Sequence, residues 1–372
     1  MKKRESSPQK LTVKKIFARI GISLLATILF AVLTVYITVY LVANGPSPTM
    51  RNMLVRSAEQ ASATKWVPGL FLNKTLVAEI VGQGLESDNI DISDLISLAP
   101  KVYESEKQEG EGDSWETAPN GIRLEIYKGA TFKGYALLVR DPSRVYTMKS
   151  KNTFSAGGYG DVIFDAVERT GAVCAINGGA FWDPEGTSHG GQPLGLTYSN
   201  GECIWNDNKS YTFIGFDNSD KLIVEAGVSR AEADARGIRD GVSFSNAILI
   251  DTVDGVVTAH YSNSNTALAQ RTAIGQTADG TVILFVTEGR SATYPGANRN
   301  DVINAMLSYG AVTAGMLDGG SSCMMYYPGY AEAYGVDTTN FDQYQHMGLI
   351  NTYRAFVPPR HIPTFFGVMP VE

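Results

Sequence analysis

The apolar positions fall into two regimes along the chain. Through about residue 82 they come in one long run and then at helical spacing; from Gly121 onward they come in short β-like runs broken by glycine, asparagine and aspartate. The long run is IGISLLATILFAVLTVYITVYLVA, Ile20 to Ala43, and it contains no charged residue. At about 1.5 Å rise per residue it spans about 36 Å, enough to cross a hydrocarbon core of about 30 Å with some tilt. A signal peptide has a shorter apolar region followed by a small-residue cleavage site, so the run reads as an uncleaved anchor, with Tyr36 and Tyr40 as interfacial aromatics near its outer end. Met50, Met53, Leu54 and Val55 then suggest a short amphipathic helix near the membrane surface, and Lys74 to Val81 a second.

Between these regimes, residues 83–119 are acidic and lack periodicity, with ESEKQEGEGDSWETAPNG at their centre, the composition of a solvated linker. Beyond it the strand candidates are RLEIYKG, YALLVR, VYTM, AVCAING, YTFIGF, KLIVE, AILI, RTAIGQ, TVILFVT, TAGML and TFFGVM. Helices are expected at Asp161 to Arg169, Ser229 to Arg236 and Asp301 to Leu307, the second opening on a Ser229/Glu232 capping box. Strands outnumber helices without strict alternation. The expected class is α+β: a mixed β-sheet core with flanking helices, preceded by a transmembrane helix. The expected division is a basic tail over 1–19, the span over 20–43, a helical juxtamembrane stalk over 44–82, the linker over 83–119 and a working domain over 120–372.

Charge fixes the expected topology. Residues 1–19 carry Lys2, Lys3, Arg4, Lys10, Lys14, Lys15 and Arg19 against Glu5 alone, so this flank should stay in the cytoplasm and the domain beyond the span outside it. The 372-residue chain as a whole has a net charge of −7, which argues against nucleic acid as a partner. With 44% hydrophobic residues it can bury a substantial core. Cys174, Cys203 and Cys323 permit at most one intramolecular disulfide and lack the spacing of a zinc site. Asp251, Asp254 and Asp279 offer oxygen ligands to a metal without the spacing of an EF-hand loop, and no cofactor is implied.

Four strand ends carry polar clusters: CAINGGAFWDPEG, AQRTAIGQTADG, ILFVTEGRSATYPG and AGMLDGGSSCMMYY. Each has a plain structural reading: Asn177 as a turn former, Arg271 as an exposed strand residue, Glu288 paired with Arg290, Gly319 and Gly320 as a tight turn. Together they gather acids and arginines where a sheet can hold them in place. His189, in GTSHGGQPLG, is a further candidate, as a proton donor in a glycine-rich loop. There is no nucleophile elbow, P-loop or HExxH.

In order, INGG at Ile176 to Gly179, RTAIG at Arg271 to Gly275, EGR at Glu288 to Arg290, LDGGSS at Leu317 to Ser322 and RHIPTFFGV at Arg360 to Val368 resemble the phosphodiester glycosidase family, over about Ile122 to Val368. The resemblance implies hydrolysis of a sugar-1-phosphodiester, with Asp318 and Glu288 as catalytic carboxylates. It places Asn177, Gly178, Gly179, Arg271, Arg290, Gly319, Gly320, Ser322 and Arg360 around the substrate, and His189 joins them on its own chemistry. Two departures stand out: the family commonly has a third glycine where Ser321 stands, and Asp where Glu288 stands. The chemistry of these residue types agrees, since a carboxylate serves as nucleophile or base and a phosphate leaving group needs little protonation, while arginine forks suit the phosphate. The competing reading is a non-catalytic, anchored binder of cell-wall polysaccharide that stacks sugars on Phe181, Trp182, Trp205 and Tyr294.

Overall fold

The computed structural model describes residues 13–59, 64, 66–82, 87–91, 115, 118–186, 188–262, 267–291, 293–353 and 358–371. The apolar run lies within one helix, Val13–Asn44 (α1), of which Phe17–Asn44 is long and apolar enough to cross a membrane. Helices Pro48–Glu59 (α2) and Lys74–Gly82 (α3) follow where short helices are expected.

Beyond these helices the strands form three antiparallel sheets. The largest runs, in spatial order, Ser87–Asp91 (β1), Val256–Ser262 (β12), Ile248–Val253 (β11), Ala311–Met316 (β15), Thr272–Thr277 (β13), Val282–Thr287 (β14), Lys133–Val139 (β3) and Ile122–Lys128 (β2). A five-stranded sheet orders Glu202–Asn206 (β7), Leu196–Ser199 (β6), Ile238–Phe244 (β10), Thr212–Asp217 (β8) and Leu222–Ala226 (β9). A four-stranded sheet orders Met325–Tyr326 (β16), Cys174–Asn177 (β5), Thr364–Val368 (β17) and Val145–Lys149 (β4).

The α+β class read from the sequence is the one observed, with a difference in the sheets. Every ladder between the named strands is antiparallel rather than mixed. The connections explain this: Asn200-Gly201 and Asp254-Gly255 both adopt positive φ and close two-residue hairpins, which join antiparallel neighbours only. The stretch read as a solvated linker also departs from expectation, because β1 lies inside it and pairs with β12. Most of the rest of 83–119 lies outside the described residues.

Helices Ile163–Thr170 (α4), Arg230–Ala235 (α5) and Arg299–Ser308 (α6) occupy the expected places. The Ser229/Glu232 capping box forms, and α6 opens on a second, Asn298/Asp301. The main core includes Leu137, Ile274 and Leu284 of the large sheet with Ile214, Phe216 and Phe366 of the other two, while Phe285, on the opposite face of β14, packs against Tyr127 and Tyr309. All three cysteines are free, Cys174 and Cys323 buried in this core and Cys203 half-buried.

Candidate active site

Antiparallel pairing is what assembles the site. β13 lies between β15 and β14, so its first residues sit beside the last residues of both neighbours: Ala273 opposes Met316, and Thr272 opposes Val286. Arg271 before β13, Glu288 after β14 and Asp318 after β15 therefore meet at one edge of the large sheet. Asn177 ends β5 and locks the four-stranded sheet onto that edge. Its Nδ2 donates to the Asp318 carbonyl at 2.6 Å, while its Oδ1 accepts from Thr272 Oγ1 at 2.8 Å and from Met324 N at 3.1 Å. Asn177 is wholly buried, and these bonds are all internal.

The two glycines after Asn177 serve close packing. A Cβ on Gly178 would stand 2.5 Å from Thr364 Oγ1, and one on Gly179 would collide with the Ser243 carbonyl. The Gly178 carbonyl also accepts from Asp318 N at 3.2 Å, a second tie to the same strand end.

Asp318 opens a tight turn. Its Oδ1 accepts from Gly319 N at 3.0 Å, and Gly320 takes φ +59°, a conformation that favours glycine. Burial pushes the Asp318 carboxyl up to about 6, and the nearby charge of Asp183 adds to the rise; the Ser322 hydroxyl and the Arg360 charge oppose it. Ser322 is buried and its hydroxyl favours the Asp318 anion by proximity, without a hydrogen bond of ordinary geometry.

Guanidinium groups lie close to this turn. Arg360 Nη1 donates to Ser321 Oγ at 3.4 Å, its Nη2 pairs with Asp183, and its central carbon lies over Phe181, 4.8 Å from the ring centroid. The Arg290 guanidinium nitrogens lie 3.7 Å from the point where a Gly320 Cβ would project. Behind it Arg271 donates from Nε to the Ala297 carbonyl at 3.0 Å and from Nη2 to the Ala267 carbonyl at 2.7 Å. Burial, joined by the adjacent Arg290 charge, lowers the Arg271 pKa to about 10, so the pair of cations is suited to an anion.

Glu288 is placed differently from Asp318. It is buried, and its Oε1 accepts from Thr352 N at 2.8 Å, Thr352 Oγ1 at 3.0 Å and Tyr135 Oη at 3.2 Å. Burial raises its pKa against these bonds. His189 is exposed and stacks on Tyr159 with centroids 4.3 Å apart. Of the residues singled out in the sequence, the structure thus gathers Asp318, Gly319, Gly320, Ser322, Arg271, Arg290 and Arg360 about one turn. It sets Asn177, Gly178 and Gly179 inside the supporting joint, Glu288 in a buried bonded niche and His189 in an aromatic stack.

Sequence reasoning passed over Asp183 and Ser321 as site residues and offered Phe181 only as a stacking ring for the competing polysaccharide binder. Asp183 is visible in the same strand-end cluster as Asn177, but its pairing with Arg360 joins positions 177 residues apart, which no local pattern encodes. The aspartates considered for a metal are dispersed: Asp251 lies 3.1 Å from His260 Nε2, and Asp279 caps its own turn through Thr281 N. Among the described residues no three His, Cys, Asp or Glu side chains gather as a metal-binding set.

A family model described as phosphodiester glycosidase matches residues 170–369, more than half of the chain. No curated protein matches. Solved structures to which parts of the chain are similar include three. One is the zebrafish N-acetylglucosamine-1-phosphodiester alpha-N-acetylglucosaminidase catalytic domain auto-inhibited by its pro-peptide, at 18% identity and TM-score 0.49, covering 78% of this chain and 97% of that one. A hypothetical protein from Synechocystis follows at 15% identity and TM-score 0.43, covering 67% and 62%. A putative exported protein from Burkholderia pseudomallei follows at 12% identity and TM-score 0.43, covering 64% and 74%.

Proposed function

The chain belongs to the phosphodiester glycosidase family, and from that premise we propose that it is a membrane-anchored, extracytoplasmic hydrolase that cleaves glycosyl-1-phosphodiesters of a cell-surface or exogenous glycan to free sugar and a phosphomonoester. One observation carries the reading: a carboxylate, Asp318, stands at the start of a glycine turn that has two guanidinium groups close to it, Arg360 at Ser321 and Arg290 at Gly320. In the proposed complex the phosphodiester lies between the two guanidinium groups, backed by Arg271. The glycosyl carbon then lies toward Asp318, and the glycines keep side chains out of its way.

With a pKa near 6, Asp318 is mostly ionised at pH 7 and is competent as nucleophile or as base toward water. The arginines stabilise the negative charge that grows on the phosphate as the bond from carbon to oxygen breaks, in place of a strong proton donor. Glu288 has three donors on one oxygen, and in this account it fixes the 352 loop against β14 and positions the site. α1 supplies the anchor, and the basic residues before it set the orientation.

The test is to incubate the full-length protein, purified in detergent, with a panel of glycosyl-1-phosphodiesters. Free reducing sugar and phosphomonoester are expected. Saturable binding of the same compounds or of wall polysaccharide, with no turnover on any of them, would replace the enzyme with a binder.

A further inference from the structure

The chain that leaves α1 folds back around its last turns. A side chain at Gly45 would run into the Leu41 carbonyl, and Ser47 Oγ then accepts from Met50 N at 3.3 Å to start α2. Ala43, Val55, Ala58, Pro68 and Ile80 are buried and form a small core between the end of α1, α2, the turn at Pro68–Leu70 and α3. Phe71 reaches back to Tyr36, with ring centroids 5.1 Å apart. Tyr36 stands about 12 Å along the helix from its end at Asn44.

Length places this fold-back at the membrane boundary. The charge-free run Ile20 to Ala43 is about 36 Å long, about 6 Å more than a hydrocarbon core of about 30 Å. With Ile20 at the inner edge, the outer edge of the core falls near Tyr40, one turn beyond Tyr36, so Phe71 returns to the outermost turns of the core. The surface there is apolar and exposed: Trp66 is 64% exposed, its neighbour in the turn Leu70 58%, and Met50 51%. Met50 shares an apolar hollow with Leu41 and Val42 of α1. A single exposed leucine is ordinary, but tryptophan, leucine, methionine and two tyrosines around the end of one spanning helix match the preference of such side chains for the boundary between acyl chains and headgroups.

We propose that α2 and the turn at Pro68–Leu70 form a collar seated in that boundary, with Trp66 and Leu70 inserted into the bilayer, and not a stalk standing in water. The proposal rests on reading α1 as a membrane span. The test reconstitutes the full-length protein in phosphatidylcholine/phosphatidylglycerol vesicles with one acyl chain brominated near its headgroup end, and compares the parent with Trp66→Phe. The emission lost in Trp66→Phe reports Trp66 alone, and bromolipid should quench about half of it or more, leaving the emission of the other tryptophans unchanged. A Phe30→Trp variant marks the span. If its added emission is quenched and that of Trp66 is not, the collar is wrong and the anchor stands; if Phe30→Trp is also unquenched, the spanning helix and the collar fall together.

Discussion

Asp318 binds a proton more readily in the folded protein than its ordinary value of 3.8 allows, because burial raises it to about 6. Protonation therefore favours the folded state as pH falls from about 6 to about 4, and above 6 the ionised group works against stability. Asp318→Asn removes that charge and keeps an oxygen for Gly319 N. The variant should melt at pH 8 no lower than the parent, yet turn over at least about 10²-fold more slowly. In the parent, kcat/KM should fall as pH drops through about 6, where the reacting carboxylate is lost. The arginines separate by what they touch. Arg271 is held by two backbone carbonyls, so Arg271→Lys should cost about 2 kcal/mol of stability. Arg290→Lys should raise KM about tenfold, since a fork toward phosphate is exchanged for a point charge. Glu288→Gln keeps the accepting oxygen and should retain activity within about tenfold of the parent; a loss as large as that of Asp318→Asn would move Glu288 into the chemistry.

At the scale of elements, the joint between sheets is the part that matters. Asn177 makes three internal bonds, two to the ends of β13 and β15 and one to Met324 before β16, so Asn177→Ala should lower unfolding free energy by about 3 kcal/mol and reduce turnover with it, because the Asp318 carbonyl loses its donor. Chemical denaturation and kinetics on one preparation measure both. The strands rich in β-branched and aromatic residues were legible in the sequence, as were the helices opened by capping boxes. β6, β7, β10 and β12 were not, because LTYS, ECIWN, IRDGVSF and VVTAHYS mix polar and small residues and show little alternation. Two of the turns beside them, Asn200-Gly201 and Asp254-Gly255, were nonetheless visible hairpin signals, and reading them first would have recovered both hairpins.

For the whole molecule, the sequence shows which polar residues stand at strand ends more readily than how their side chains are placed. The motifs brought Asp318, Arg290 and Arg360 forward, but a strand end shows only that a side chain is near the sheet edge. Whether it faces the open turn, as Asp318 does, or an internal niche, as Glu288 does, depends on Thr352 and Tyr135 from distant segments. The proposed topology has its own check: protease added to intact cells should remove the domain beyond the span, and full protection would contradict an external domain. The claim that the protein is a glycosidase, breaking the bond between sugar carbon and oxygen and not the bond to phosphorus, has a more direct one. Hydrolysis of a glycosyl-1-phosphodiester in water enriched with heavy oxygen should place the label in the released sugar and leave the phosphomonoester unlabelled, with both products nearly absent for Asp318→Asn. Label in the phosphate, or equal turnover by the Asp318→Asn protein, would contradict the account.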